Sequence, residues 1–146
     1  MHHATAAIDV SPETTPSARP SRVTLPRQPK PRDAAAVRAA WRAETNAART
    51  ARRAGDPAEE WRRLERAHIL SQPLVAAHIC THAHMLTFAV RHRNRHEVVG
   101  QVMRLAVAAP GTALRRYPLG NTGGADVSAV MPMDIPEDLF RLARGE

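Results

Sequence analysis

The sequence predicts an all-α domain of about four helices in two antiparallel hairpins, followed by an irregular C-terminal segment. Apolar residues recur with helical spacing from residue 37 onward. Helix start signals at Asp33, Asp56-Pro57, Pro73 and Asn94 divide this region into four helices. Aromatic residues are scarce at 3%, and the many small Ala side chains favour close packing of helices.

Residues 1–32 differ in composition from the rest of the chain. Proline at this density removes backbone donors and prevents helix formation, and little apolar surface is available to offset ordering entropy. We therefore expect a disordered Pro/Arg-rich arm over 1–32 and a single helical domain over 33–146. The prolines of the arm are Pro12, Pro16, Pro20, Pro26, Pro29 and Pro31.

The first predicted hairpin spans residues 34 to about 71. Its first helix follows the N-cap Asp33 and ends at Gly55, a residue typical of left-handed C-terminal turns. Asp56, with Pro57 at the first helical position and Glu59 placed for a capping box, starts the second helix. The hairpin is locally tetratricopeptide-like, but no second copy occurs at a period of about 34 residues. The predicted inner face of the first helix comprises Val37, Ala40, Trp41, Glu44, Ala48 and Ala51.

The second predicted hairpin begins at Pro73, with a third helix that runs to about Arg93. Asn94 starts a fourth helix, which we expect to end or kink at Pro110-Gly111. Its predicted apolar face comprises Val98, Val102, Leu105 and Ala106.

The C-terminal segment is predicted to be mostly irregular. Residues 120–124 are too glycine-rich for a helix and favour a chain reversal, with an anion-binding nest as the alternative. Residues 126–131 are expected to be extended, and Pro136 to begin a last short helix.

Charge and cysteine content narrow the function classes. The net charge is +7 and comes almost entirely from arginines spread over every helix, without an RNA-binding aromatic motif or zinc-finger spacing. Nucleic acid is therefore not the favoured partner. The single cysteine, Cys80, excludes an intramolecular disulfide and favours a reducing cytoplasm. No run of about 18 apolar residues predicts a membrane span.

Polar side chains of the type that binds metals occupy the inner faces of the second and third helices. On the second helix, Glu65 and His68 share a face with Trp61 and Leu64, and on the third helix His78 and His82 share a face with Leu74 and Met85. A buried carboxylate without a partner is costly, and three neighbouring imidazoles cannot all be charged. Zinc accepts both ligand types in a tetrahedron. The sequence therefore predicts a divalent-metal site at Glu65, His68, His78 and His82, with zinc as the favoured ion.

Several other residues are of a type that can bind a metal ion. Glu44 on the first helix and Asn121 and Asp126 in the C-terminal segment are additional candidates. Iron is less favoured, because a helical-bundle di-iron site would require a second Glu-x-x-His motif. Cys80 and His84 are predicted to lie on the opposite face of the third helix, as a small core thiol with a solvated imidazole or as a second soft-metal site.

The chain resembles a bacterial family of small helical proteins that is catalogued only as a domain of unknown function. The resemblance covers roughly residues 34–142. It is carried by Leu64-Glu65-x-Ala67-His68-Ile69-Leu70-x-Gln72, His78-x-x-x-His82, Gly100-Gln101, Gly120-Asn121-Thr122-Gly123-Gly124 and Pro136-Glu137-Asp138-Leu139. Cys80, His84, His92 and His96 are not part of this pattern. The resemblance implies no activity.

The expected function is therefore that of a small cytoplasmic divalent-metal-binding protein, for metal handling or metal-dependent chemistry. A closed four-ligand site would be structural or would store metal, whereas an open site would allow metal-assisted hydrolysis. The alternative is a helical-hairpin protein-interaction module without metal, in which the histidines have no shared role.

Overall fold

The computed structural model describes residues 25–28 and 30–144, and within them the chain forms an all-α fold. The helices are α1 (Ala34–Ala54), α2 (Pro57–Ser71), α3 (Val75–Arg91), α4 (Arg95–Ala113) and α5 (Glu137–Arg144). α1 packs on α2 and α3 packs on α4, while contacts between α2 and α3 join the two hairpins. α5 lies against α1 and α2. The predicted all-α class is confirmed.

The predicted N-terminal arm falls mainly on residues 1–24 and 29, which lie outside the described residues. Residues 25–28 and 30–32 contain no helix. The backbone N–H of Gln28 donates to the carbonyl of Arg115 at 2.7 Å, so this stretch contacts the segment that follows α4.

The ends of the first hairpin agree with the sequence signals. The Asp33 side chain accepts hydrogen bonds from the first free N–H groups of α1, those of Ala35 and Ala36. Gly55 ends α1 with φ of +71°, and Asp56 caps α2 by accepting from the N–H of Glu59 at 2.9 Å. The Glu59 carboxylate completes no capping box, because it pairs with Arg62 and Arg63.

The second hairpin departs from the prediction at two places. α3 begins at Val75 after Leu74, two residues beyond Pro73. α4 begins after Asn94, which accepts from the N–H of Glu97 as expected, and it continues through Pro110 to Ala113, so the helix does not end at Pro110-Gly111. Proline fixes φ at a helical value and removes only one donor. The turn beyond Pro110 is held by the bond from the Leu114 N–H to the Pro110 carbonyl at 3.0 Å.

Two apolar clusters hold the helices together. Leu64 of α2 and Met85 of α3 meet Ala48 of α1, with Trp61 and Phe88 packed at the edge. The second cluster fastens α5 to the first hairpin, because Leu139 is fully buried against Ile69 and Leu70. These contacts place the inner faces of α2 and α3 opposite each other.

A buried ion-pair network also joins the first hairpin to α5. The Glu44 carboxylate of α1 accepts from Arg63 at 3.0 Å and from Arg66 at 2.8 Å, both on α2. Arg66 also contacts Asp138 on α5. Both guanidinium partners are therefore committed to structural contacts.

Residues 126–131 form turns, and the expectation of extended structure there was wrong. The N–H of Val127 bonds to the Gly124 carbonyl, and the N–H of Met131 to the Ser128 carbonyl, each at 3.1 Å. The carbonyls of this segment also accept from side chains. The Asn121 amide donates to the carbonyls of Ser128 and Met131 and so stabilises the turns.

No helix in the described part of the chain is both long enough and apolar enough to cross a membrane.

Candidate metal centre

Three histidines from two helices converge at the interface between the hairpins. His68 lies near the end of α2, and His78 and His82 lie one turn apart on α3. The Nε2 atom of His68 is 2.9 Å from Nε2 of His78 and 3.2 Å from Nε2 of His82. All three side chains are buried, and one ring nitrogen of each lies within 4.8 Å of the others. In the described residues this is the one such group of histidine, cysteine or acidic side chains.

Hydrogen bonds at the outer nitrogens determine which nitrogens carry the protons on His68 and His82. Nδ1 of His68 is 2.8 Å from the backbone carbonyl of Asn121, which can only accept. Nδ1 of His82 is 2.7 Å from Oε1 of Gln101. The orientation of the Gln101 amide is set because its nitrogen donates to Glu97 and to the Gly123 carbonyl. Both Nδ1 atoms therefore carry the proton, and both Nε2 atoms present lone pairs to the centre.

The outer nitrogen of His78, the third member of the group, contacts a residue near the C-terminal end of α4. Its Nδ1 atom is 2.6 Å from Oγ1 of Thr112, a hydroxyl that can accept or donate. Thr112 lies in the helical turn beyond Pro110, so the continuation of α4 to Ala113 supplies this contact.

The three imidazoles are held in the neutral form. Burial lowers the pKa of His78 to about 3 and that of His82 to about 4, with the positive charge of Arg104 acting in the same direction. Burial also lowers the pKa of His68 well below its usual range, and the neighbouring His78 and His82 add to this effect. Neutral imidazole is the form that binds metal ions.

The glycine-rich loop after α4 packs directly on the histidines. Gly123 adopts φ of +85°, and a Cβ built there would lie 2.6 Å from Cδ2 of His68. The loop supplies the Asn121 carbonyl to His68 and the Gly123 carbonyl to Gln101. The chain reversal predicted here is confirmed, and Gly120 (φ +74°) and Gly123 take the positive φ values that it requires.

The structure does not bring Glu65 into the group of three histidines. Its half-buried carboxylate is hydrogen-bonded by the side chains of Trp61 and Thr122. Burial raises its pKa, and these two hydrogen bonds oppose that effect. The carboxylate that the sequence placed on the inner face therefore has partners other than the three histidines.

The side chains of the additional candidates Glu44, Asp126 and Asn121 all have partners outside the group of three histidines. Glu44 is paired with Arg63 and Arg66. Asp126 is exposed, and its carboxylate lies 3.3 Å from Nε2 of His96. Asn121 reaches the site through its backbone carbonyl, while its side chain bonds to the C-terminal segment.

The second pair of soft ligands stays apart from the histidine group. Sγ of Cys80 lies 3.8 Å from Nε2 of His84, both side chains are half-buried, and no further ligand joins them among the described residues. His92 is exposed and stacks on Phe88, with ring centroids 4.3 Å apart.

The sequence prediction missed the contribution of α4. The predicted apolar face was wrong, because Val102 is 52% exposed and Ala106 is also exposed. The buried face of α4 is instead largely polar. Its members recur with the same helical period and could have been recognised as a polar stripe; they are Glu97, Gln101, Arg104, Ala108 and Thr112.

A cavity of about 350 Å³ borders the three histidines. Arg104 lies in its wall and donates to the carbonyls of Gly124 and Val127. The remaining wall includes Tyr117, Pro118, Ala129 and Val130. The three histidines therefore lie beside a cavity that could hold a small molecule.

Comparison with known proteins assigns the chain to a family without an assigned activity. No curated protein and no solved structure matches it. A family model described as "Protein of unknown function (DUF3703)" matches residues 35–142, which include all three histidines, the supporting residues of α4 and the glycine-rich loop. The chain belongs to this family of proteins of unknown function.

Proposed function

We propose that the protein binds one divalent transition-metal ion, with zinc as the best fit, through the Nε2 atoms of His68, His78 and His82. The observation that carries the proposal is the direction of the lone pairs. The outer hydrogen bonds place the protons of His68 and His82 on Nδ1, so two Nε2 lone pairs face each other across 3.2 Å. A proton would relieve this repulsion, but the lowered pKa values oppose protonation near neutral pH. A cation relieves it without that cost.

The spacing of the nitrogens supports the same ion class. Two imidazole nitrogens bound to one tetrahedral zinc at the usual bond length lie about 3.3 Å apart. The separations of 2.9 and 3.2 Å from His68 to its two neighbours are close to this value. Oxygen acceptors on the distal imidazole nitrogens are also typical of metal-binding histidines, because they fix the tautomer and the ring orientation.

The ligand set favours zinc over other common ions. Three neutral imidazoles suit zinc and its neighbours in the transition series, whereas magnesium and calcium prefer oxygen. Non-haem iron sites commonly add a carboxylate to two histidines, and no carboxylate of the described residues joins this group. We assign no ligand role to Glu65, because Trp61 and Thr122 already hydrogen-bond its carboxylate.

A site with three protein ligands beside a cavity suits metal-dependent chemistry or transfer of the ion better than a purely structural role. Structural zinc sites usually have four protein ligands, and catalytic sites have three with a fourth position for water or substrate. The cytoplasmic location and the expectation that nucleic acid is not the favoured partner stay predictions from the sequence, and a protein partner belongs to the alternative interpretation.

The test is the metal content of the purified full-length protein. The wild type should carry about one equivalent of zinc after dialysis against zinc-containing buffer. The double variant His78→Ala/His82→Ala should lose it, while His92→Ala/His96→Ala, which removes two exposed histidines, should retain it. Circular dichroism would establish that both variants are folded. Equal metal content in the two double variants would overturn the proposal.

The competing interpretation is an interaction module without metal. This interpretation would be supported if the folded wild type bound no zinc, cobalt or nickel under these conditions. In that case the three histidines would serve only to connect α2, α3 and α4.

A further inference from the structure

The site around the three histidines would carry a net positive charge once a divalent ion is bound. Neutral imidazoles leave the full charge of a divalent ion uncompensated, and Arg104, which lines the same cavity as the three histidines, adds a second positive centre. The nearby Glu97 carboxylate, which accepts from the Gln101 amide and the N–H of Ala125, offsets the charge of Arg104 and leaves the charge of the ion itself uncompensated. Among the described residues no Asp or Glu lines the cavity. An anion is therefore the missing charge partner.

The cavity can hold more than a water molecule or an inorganic ion. Its volume of about 350 Å³ lies within the range of small-ligand sites, which begins near 300 Å³. Away from the histidines and Arg104, much of the wall is apolar. Tyr117 is buried there, and Ala129 and Val130 lie toward the exposed side. These surfaces fit the hydrocarbon part of a small organic anion.

Arg104 is positioned as a rigid part of this wall. Its guanidinium donates to the carbonyls of Gly124 and Val127, which fix it between α4 and the glycine-rich loop. Arg104 is only 9% exposed, so water screens its charge weakly. Arg116, an exposed residue, supplies a second positive charge to the same cavity.

We propose that the cavity binds a small organic anion, a carboxylate with a short apolar body, whose oxygen takes the fourth position on the metal. The inference rests on the proposed three-histidine metal site. The carboxylate lies between the ion and the cationic wall, and the apolar body lies against Tyr117 and Val130. The substrate or transported ligand of the protein thus belongs to the class of short-chain carboxylates.

The experiment uses the full-length protein loaded with cobalt, whose visible absorption reports the fourth ligand of a tetrahedral site. Appearance of the cobalt spectrum tests the metal site itself. Acetate and butyrate are then titrated, with the neutral butyramide as the matched control. Both acids should change the spectrum and butyramide should not. Butyrate should bind about tenfold more tightly than acetate, because it buries two more methylene groups.

Variants of the cavity wall test the charge argument. Arg104→Gln, which keeps an amide donor toward the loop, should weaken butyrate binding about tenfold, and Arg104→Lys should weaken it less. If Arg104→Gln does not fold, Arg116→Ala provides the second variant and should weaken binding by about threefold. Arg95→Gln, which changes an exposed arginine at the first residue of α4 and outside the cavity wall, is the control and should have no effect.

The outcomes separate the two proposals. Absence of a cobalt spectrum overturns the metal site and this inference with it. A cobalt spectrum that neither acid changes leaves the metal site standing and overturns the anion. A response to acetate and butyrate that is equal in strength and insensitive to Arg104 and Arg116 also overturns the inference, because it would show an adventitious ligand only.

Discussion

Substitution of Gly123 by alanine should lower the metal affinity of the site, although Gly123 is not one of the proposed ligands. Gly123 has φ of +85°, and an added Cβ would lie 2.6 Å from Cδ2, 2.7 Å from Cγ and 2.8 Å from Nε2 of His68. The neighbour is an aromatic ring whose Nδ1 atom is bound to the Asn121 carbonyl two residues earlier in the same loop. The ring cannot move away without breaking that hydrogen bond.

The size of the effect follows from these distances. Ordinary contact of a Cβ begins near 3.4 Å, so the ring and the loop must separate by about 0.8 Å. Bond lengths in a working metal site vary by only about ±0.2 Å. We therefore expect metal affinity to fall by about 10–100-fold, the range found when partners of metal ligands are removed. The left-handed backbone conformation should cost a further 1–2 kcal/mol or so of folding stability.

Gly55→Ala provides a matched control. Gly55 has a similar φ of +71° at the end of α1, and a Cβ there would meet nothing within 4 Å. Both variants should lose stability from backbone strain, and Gly123→Ala should lose more because its Cβ also meets the His68 ring, as measured by urea unfolding of the metal-free proteins. Only Gly123→Ala should lose zinc affinity, measured by competition with a chromophoric chelator. Equal zinc affinity in the two variants would refute the role assigned to the contact with His68.

Two further predictions concern the protonation and the support of the histidines. Because the folded-state pKa values of His78 (about 3) and His82 (about 4) lie below the ordinary value of 6.5, the unfolded chain binds more protons. The metal-free protein should keep its full stability above pH 6.5. Below that pH, its free energy of unfolding should fall by about 1.4 kcal/mol per pH unit for each histidine. Urea midpoints that do not change between pH 7 and pH 5 would contradict this. Gln101→Leu should lower zinc affinity about 10–100-fold by removing the acceptor from His82. Thr45→Val, which removes a buried hydroxyl bonded to the carbonyls of Trp41 and Arg42 on α1, should leave zinc affinity unchanged, and equal zinc affinity in both variants would argue against the Gln101 assignment.

Part of the site could be predicted because helix phase is a local property. The caps at Asp33, Asp56 and Asn94 involve residues within a few positions of each other, and each forms the expected hydrogen bond. Once the starts are known, the 3.6-residue period places His68 on the inner face of α2 and both His78 and His82 on the inner face of α3. These three side chains are buried as expected.

The fate of the carboxylates could not be predicted in this way. Glu65 shares a face with His68, but its partner Thr122 is distant in sequence, so the periodicity cannot show that it is already satisfied. Glu44 likewise shares the predicted inner face of α1, and its two arginine partners lie on α2. A helical face specifies a direction, whereas a ligand set depends on distances between elements.

The sequence by itself determined the all-α class, the helix starts and the three histidines that face inward, because caps and periodicity depend on neighbouring residues. Only the tertiary structure decided which atoms meet. It turned the polar face of α4 toward the histidines, since Gln101 and Arg104 find their acceptors on the glycine-rich loop. It also brought Gly123 against the ring of His68, a contact between residues 55 positions apart that no local pattern records.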